Sequence, residues 1–127
     1  MARKTASDLV AEARSRIEEW DVERLRATPG AVVVDIRDVR ERAEGFIPGS
    51  IHAPRGMLEF WWDPESPYHR EVFAGPGPYV LHCAMGWRSA LAAAALQDMG
   101  FEVAHLAGGL SAWTAAGGAV EMPAPKE

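Results

Sequence analysis

A cysteine, an arginine and a serine stand close together in Cys83-Ala84-Met85-Gly86-Trp87-Arg88-Ser89, the stretch whose residue types best converge on one chemistry. The apolar run Tyr79-Val80-Leu81-His82 leads into Cys83, the only cysteine of the chain. Behind Ser89, the run Ala90-Leu91-Ala92-Ala93-Ala94-Ala95-Leu96-Gln97 is strongly helix-forming. A thiol on a short loop between a buried strand and a helix start faces backbone N–H groups that lack intrahelical partners. Such a place holds an anion and favours a thiolate. An ordinary cysteine titrates near 8.5 and is only about 3% ionised at pH 7. Lowering that value by about two units takes about 2.7 kcal/mol, of which a helix N-terminus supplies up to ~2. Loop N–H groups and the Arg88 charge can supply the rest. The competing reading is a buried, inert cysteine that serves as a small core residue.

The neighbours have definable roles. A loop that curls its N–H groups toward one point needs a residue free to take positive φ, and Gly86 is that residue. Met85 and Trp87 are too large for both to point inward, so at least one faces solvent or the mouth of the site. Arg88 either contacts substrate or braces the loop through a carboxylate, for which Asp35 is the expected partner. A charge at a strand end near the loop needs such compensation. Asp35 and Arg37 are accordingly read as structural support. Arg55 either attracts anionic substrates or is an ordinary surface arginine. His82 adjoins Cys83, but neighbours on a strand point to opposite faces, which argues against it as the activating base.

Other chemistries lack their signatures. His52, His69, His82 and His105 have no ligand spacing with Cys83 or with one another, so no metal is expected. There is no G-x-G-x-x-G and no P-loop, so no nucleotide cofactor is expected. A single cysteine argues against thioredoxin-type C-x-x-C chemistry.

The elements that must position the loop follow from periodicity. With 127 residues, 48% hydrophobic and 24% charged, the chain has the size and composition of one globular domain. Its net charge of -5 argues against nucleic acid and acidic membranes as partners. No apolar run approaches a membrane span, no signal peptide is evident at Met1-Ala2-Arg3-Lys4-Thr5, and the lone cysteine fits the reducing cytoplasm. Apolar residues at Leu9, Val10, Ala13, Ile17 and Trp20 predict an amphipathic helix over 7–20, capped by Ser7 or Asp8 and packed on the domain edge or used for dimerisation. The continuous β-branched run 31–36 predicts a strand covered on both faces. A short helix over 38–44, a short strand over 50–53, a strand over 102–106 and a last helix over 110–116 complete the regular elements. Between them, Pro54 to Gly77 reads as a long loop with a helical piece, its Trp61 and Trp62 forming either a pocket wall or a local mini-core. Strands alternating with helices predict an α/β domain with a mainly parallel sheet. Pro123 to Glu127 is expected to fray.

Cys83-x-x-Gly86-x-Arg88-Ser89 resembles the active-site loop of rhodanese-like domains, the thiosulfate sulfurtransferases. Three further stretches carry the same resemblance in the expected order: Val34-Asp35-Ile36-Arg37, Glu44 to His52, and Leu106-Ala107-Gly108-Gly109-Leu110-Ser111-Ala112-Trp113. Phe46 departs from the family's usual histidine. The resemblance implies a rhodanese-like domain over 18–120, with a helical extension over 1–17 and a flexible tail over 121–127. It implies a mainly parallel five-stranded sheet with helices on both faces. It also implies ping-pong transfer, in which Cys83 takes the outer sulfur of thiosulfate or another sulfane donor, an anionic small molecule. The persulfide then passes its sulfur to cyanide, a low-molecular-weight thiol or a protein thiol. Ala84, Met85, Gly86, Trp87, Arg88 and Ser89, with Arg55, are the expected substrate-binding residues. Phosphatases of the same fold resemble C-x5-R, whereas Cys83 to Arg88 is C-x4-R, which favours sulfur transfer over phosphate-ester hydrolysis or arsenate reduction. A non-turnover sulfur-relay or partner-binding module is the remaining alternative, motivated by Trp61, Trp62 and Trp87.

Overall fold

In the computed structural model, which describes residues 2–124, five strands form one all-parallel sheet in the order β1-β5-β4-β2-β3. In chain order the elements are α1 (Ala6–Arg14), β1 (Glu18–Trp20), α2 (Val22–Arg26), β2 (Val32–Asp35), α3 (Val39–Ala43), β3 (Ile51–His52), α4 (Leu58–Trp62), β4 (Tyr79–His82), α5 (Trp87–Asp98), β5 (Ala104–Leu106) and α6 (Gly109–Ala115). Single 3-10 turns lie at Arg55–Met57 and Glu71–Phe73. Among the described residues, no helix is long and apolar enough to cross a membrane.

Alternation along the central strand divides the core. Tyr79 and Leu81 face a cluster that also contains Val34, Ile36, Leu58, Trp62, Leu96 and Cys83. Val80 faces the other layer, with Trp20, Val22, Leu25, Ile47 and Leu106. Cys83 therefore lies on the α5 side of the sheet, in phase with Leu81 and out of phase with His82. Small residues of α5, Ala90 and Ala94, let α1 approach through Val10 and Ala13.

The first helix is shorter than its periodicity predicts. Thr5, not Ser7 or Asp8, is the N-cap, and Asp8 closes a capping box with it. The helix ends at Arg14, and Glu18–Trp20 is a strand paired with β5, Glu18 opposite Ala104 and Trp20 opposite Leu106. Here sheet pairing and burial of Trp20, 4% exposed, override a helical pattern of apolar spacing. Glu121, within the stretch 121–127, exchanges both backbone hydrogen bonds with Phe46, at 2.8 and 2.9 Å. Residues 125–127, part of the segment expected to fray, lie outside the described residues.

The aromatic segment before β4 is a mini-core and not a pocket wall. Trp62 stacks on Phe73 with ring centroids 4.6 Å apart and meets the edge of Tyr79 at 4.9 Å. Trp61 is half-buried beneath the Arg70 guanidinium, 3.7 Å from its ring centroid. Replacing Trp62 with Ala removes the largest fully buried side chain, and about 3–5 kcal/mol of stability is expected to go with it. Urea unfolding checks this; a cost below about 1 kcal/mol is incompatible with a packed role.

Candidate active site

The carboxyl ends of β2, β4 and β5 meet around Cys83, which is 1% exposed. Gly86 takes φ +103 and turns the loop so that it becomes the N-cap of α5. No side chain caps that helix in the ordinary way. The cysteine sulfur takes this place, accepting the Gly86 N–H at 3.1 Å and the Ser89 N–H at 3.4 Å. The Ser89 hydroxyl lies 3.5 Å from Sγ. Burial pushes the thiol up, but the Ser89 hydroxyl and the N–H groups of Ser89, Gly86 and Met85 outweigh it and bring the thiol below its ordinary value.

The loop is held from behind by the start of α6. Leu110 N–H donates to the Cys83 carbonyl at 2.9 Å and Ser111 N–H to the Ala84 carbonyl at 3.0 Å. A Cβ on Gly109 would lie 2.5 Å from the Cys83 oxygen and 2.7 Å from that of Ala84. Only a glycine allows two backbones this close.

Arg88 braces the loop, but through Glu41 and not through Asp35. Its Nη1 and Nη2 reach the two Glu41 carboxylate oxygens at 2.7 and 2.9 Å. Glu41 in turn closes a capping box with Asp38 at the start of α3. Asp35 is already saturated: it accepts from Arg37 Nε and Nη2, both at 2.9 Å, and from Arg42 Nη1 at 3.1 Å. Burial would raise this carboxyl, yet the Arg37 hydrogen bonds and neighbouring positive charge hold it below the usual range. Arg37 Nη2 also donates to the Gly45 carbonyl at 2.8 Å, tying the next turn to the strand end.

The sequence-derived site is therefore brought together in its loop but not beyond it. A cavity of about 440 Å³ is lined by Cys83, Ala84, Met85, Trp87 and Arg88, with Met85 and Trp87 both strongly exposed at its mouth. Arg55 is not in this lining; it pairs with Glu59 at 2.7 Å. Trp61 and Trp62 do not join Trp87 there. A larger hollow of about 670 Å³ lies at the opposite, amino ends of the strands, beside Ile17, Pro78 and Phe101, and no cysteine, serine, threonine or lysine lines it. Among the described residues, no group of three or more His, Cys, Asp and Glu side chains is placed to hold a metal ion.

Three polar partners escape the sequence reading: Glu41, His105 and Glu19. His105, on β5, places Nδ1 2.9 Å from the Ser89 hydroxyl and Nε2 2.8 Å from Glu19. Glu19 is also gripped by Arg14, at 2.9 and 3.2 Å. The signal for Glu41 is its capping-box spacing from Asp38. For His105 and Glu19, 86 residues apart, there is none.

A family model for the rhodanese-like domain matches residues 18–116. The chain is 39% identical over 101 residues to the thiosulfate sulfurtransferase GlpE of Ectopseudomonas mendocina, covering 79% of this chain and 84% of that protein. It is 33% identical over 102 residues to a sulfurtransferase of Allochromatium vinosum, covering 80% and 88% respectively. Among solved structures, a Rhodopseudomonas palustris protein of unknown function, described as a possible tyrosine phosphatase, superposes with a TM-score of 0.86 at 44% identity. That match covers 95% of this chain and 97% of the other.

The back of the loop can be tested with two glycines that both have positive φ. Gly49, at φ +80, has open space around a would-be Cβ, and Ala there is expected to cost about 1–2 kcal/mol for its backbone conformation alone. Gly109, at φ +59, adds the collision with the Cys83 and Ala84 carbonyls, worth about 1–3 kcal/mol more. Equal costs in urea unfolding contradict the close approach.

Proposed function

Since the chain belongs to the rhodanese-like domain family, with sulfurtransferases among its relatives, we propose that it moves a sulfane sulfur through a persulfide on Cys83. The observation that carries this reading is the convergence of the Gly86 and Ser89 N–H groups on a buried cysteine sulfur. Those dipoles are fixed before reaction, so stabilising an anion there requires no reorganisation. In the first half-reaction the Cys83 thiolate attacks the outer sulfur of thiosulfate. The sulfur–sulfur bond of the donor breaks, sulfite leaves with the electron pair, and Cys83 carries a terminal anionic sulfur. In the second, a thiolate or cyanide attacks that terminal sulfur, and the Cys83 thiolate leaves. The same N–H groups favour the charged sulfur at the start and at the end of the cycle.

Phosphate-ester hydrolysis is a second reading, raised by the description of the Rhodopseudomonas palustris protein. Three features weigh against it. The Cys83 to Arg88 spacing is one residue shorter than the C-x5-R of the phosphatases. The Arg88 guanidinium is engaged bidentately by Glu41, where a phosphate would need it. The cavity lining contains no carboxylate to protonate a leaving group, and neither Asp63 nor Glu65 belongs to it.

Incubation with thiosulfate is expected to add about 32 Da, one sulfur atom, to the wild-type protein and nothing to Cys83→Ala. Thiosulfate:cyanide turnover is expected to fall to background in the same variant. Turnover that survives the loss of Cys83 defeats the reading, and hydrolysis of p-nitrophenyl phosphate without any sulfur adduct replaces it with the phosphatase.

A further inference from the structure

The thiol of Cys83 is connected to a second ionisable group that its own motif does not contain. Its sulfur contacts the Ser89 hydroxyl, fully buried, and that hydroxyl contacts Nδ1 of His105, 1% exposed. The other imidazole nitrogen meets Glu19, whose side chain is 28% exposed and reaches solvent. Beside these groups lies a hollow of about 190 Å³ whose walls include Arg14, Glu19, His105 and Gly108 but not Cys83. It shares Met85 and Trp87 with the cavity in which Cys83 lies, and opens Glu19 and His105 to water on the far side of the loop.

We infer that Ser89 and His105 form a proton relay for Cys83, with Glu19 orienting the imidazole and Arg14 orienting Glu19. The geometry fixes the sense of each bond. Nε2 carries the ring proton and donates it to the Glu19 carboxylate, so Nδ1 is the acceptor of the Ser89 hydroxyl. The Ser89 oxygen in turn accepts from the Cys83 thiol. On ionisation the thiol proton passes to Ser89 Oγ, and the hydroxyl's own proton passes to His105 Nδ1. One S–H bond breaks and its electron pair stays on sulfur; one N–H bond forms; the hydroxyl is regenerated. The products are a thiolate and an imidazolium, with no redox change. Ser89 touches the reacting sulfur, whereas His105 acts through Ser89 and is a positioning and proton-holding residue.

Charge around the ring sets its basicity. Burial lowers His105 below its ordinary value, and the Glu19 hydrogen bond and charge oppose that fall. Glu19 is held ionised, first by the Arg14 hydrogen bonds and with help from His105. The groups that face the imidazole are Glu19 from β1, Arg14 from α1 and Ser89 from α5, with Cys83 beyond Ser89. The imidazolium forms between a carboxylate on one side and a hydroxyl turned toward a thiolate on the other, which lowers the cost of the buried charge. The relay concerns how the thiol ionises and not what it attacks, so it is independent of the sulfur-transfer reading.

The test is the rate of Cys83 alkylation by iodoacetamide from about pH 4 to about pH 10, in wild type, Glu19→Gln and His105→Gln, because only the thiolate reacts. Removing the Glu19 charge through space alone would favour the thiolate and move the midpoint down. The relay predicts the opposite sign, since a neutral amide in place of the Glu19 carboxylate no longer stabilises the imidazolium. The midpoint in Glu19→Gln is expected to rise by about half to one pH unit, with a roughly threefold to tenfold slower rate near neutral pH and an unchanged alkaline plateau. His105→Gln is expected to shift the midpoint in the same direction by at least as much. A midpoint that stays or falls in Glu19→Gln overturns the relay, and this partly exposed position decides alone if His105→Gln does not fold. A purely structural role for these residues moves the melting temperature and leaves the alkylation midpoint in place.

Discussion

The cysteine sulfur takes the place of the side-chain cap of a helix, and the rest of the site depends on this. The first turn of α5 has N–H groups without backbone acceptors, and Cys83 Sγ receives those of Gly86 and Ser89. An apolar environment would normally keep a buried thiol protonated, and Cys83 shares its cluster with Leu81, Ile36 and Leu96. Backbone dipoles reverse that preference only if they are aimed and kept aimed. The left-handed turn at Gly86 aims them. The carbonyls of Cys83 and Ala84, clamped by the start of α6, keep them in place.

A second clamp comes from the electrostatics of the neighbouring strand end. Asp35 is fully buried, and a lone carboxylate there would cost several kcal/mol. Arg37 and Arg42 compensate it, and both reach onward to backbone carbonyls, Gly45 and Ser50. This network fixes the turn that carries α3, and α3 carries Glu41. Arg88 is thus linked to a buried ion cluster through one short helix, without touching Asp35. The arrangement separates two tasks that the motif alone combines: a saturated buried network holds the scaffold, and a half-exposed pair holds the loop.

Local chemistry is legible in the sequence and non-local pairing is not. The continuous run around Val32-Val33-Val34, the poly-alanine helix and the need for positive φ at Gly86 are properties of adjacent residues. The strand appears one residue shorter at each end, over Val32–Asp35, the helix extends outward to Trp87–Asp98, and Gly86 takes φ +103. Helical spacing of Ile17 and Trp20 misleads, because the edge of β5 offers hydrogen bonds that periodicity does not see. The true partner of Arg88 lies 47 residues away and escapes local reasoning. A strand-end carboxylate needs a cation, but nothing in the chain says which of several nearby arginines reaches it first. His105 has no metal-ligand spacing to draw notice, although its buried ring finds a partner for each nitrogen in Ser89 and Glu19.

The pairing of Arg88 with Glu41 also decides where the electrostatic work of the site is done. A bidentate carboxylate largely cancels the guanidinium, so little net side-chain charge remains in the cavity to attract or hold an anion. Its mouth is formed by the exposed side chains of Met85 and Trp87, which add apolar surface and no charge. Stabilisation of a negative sulfur therefore falls on N–H groups within a few ångströms of Cys83 Sγ. Dipoles of this kind act over a short range and favour the atom that touches them, unlike a free cation that draws in any anion. Such a loop discriminates by where the charge sits and not by how much of it a molecule carries, which suits the persulfide proposed on Cys83.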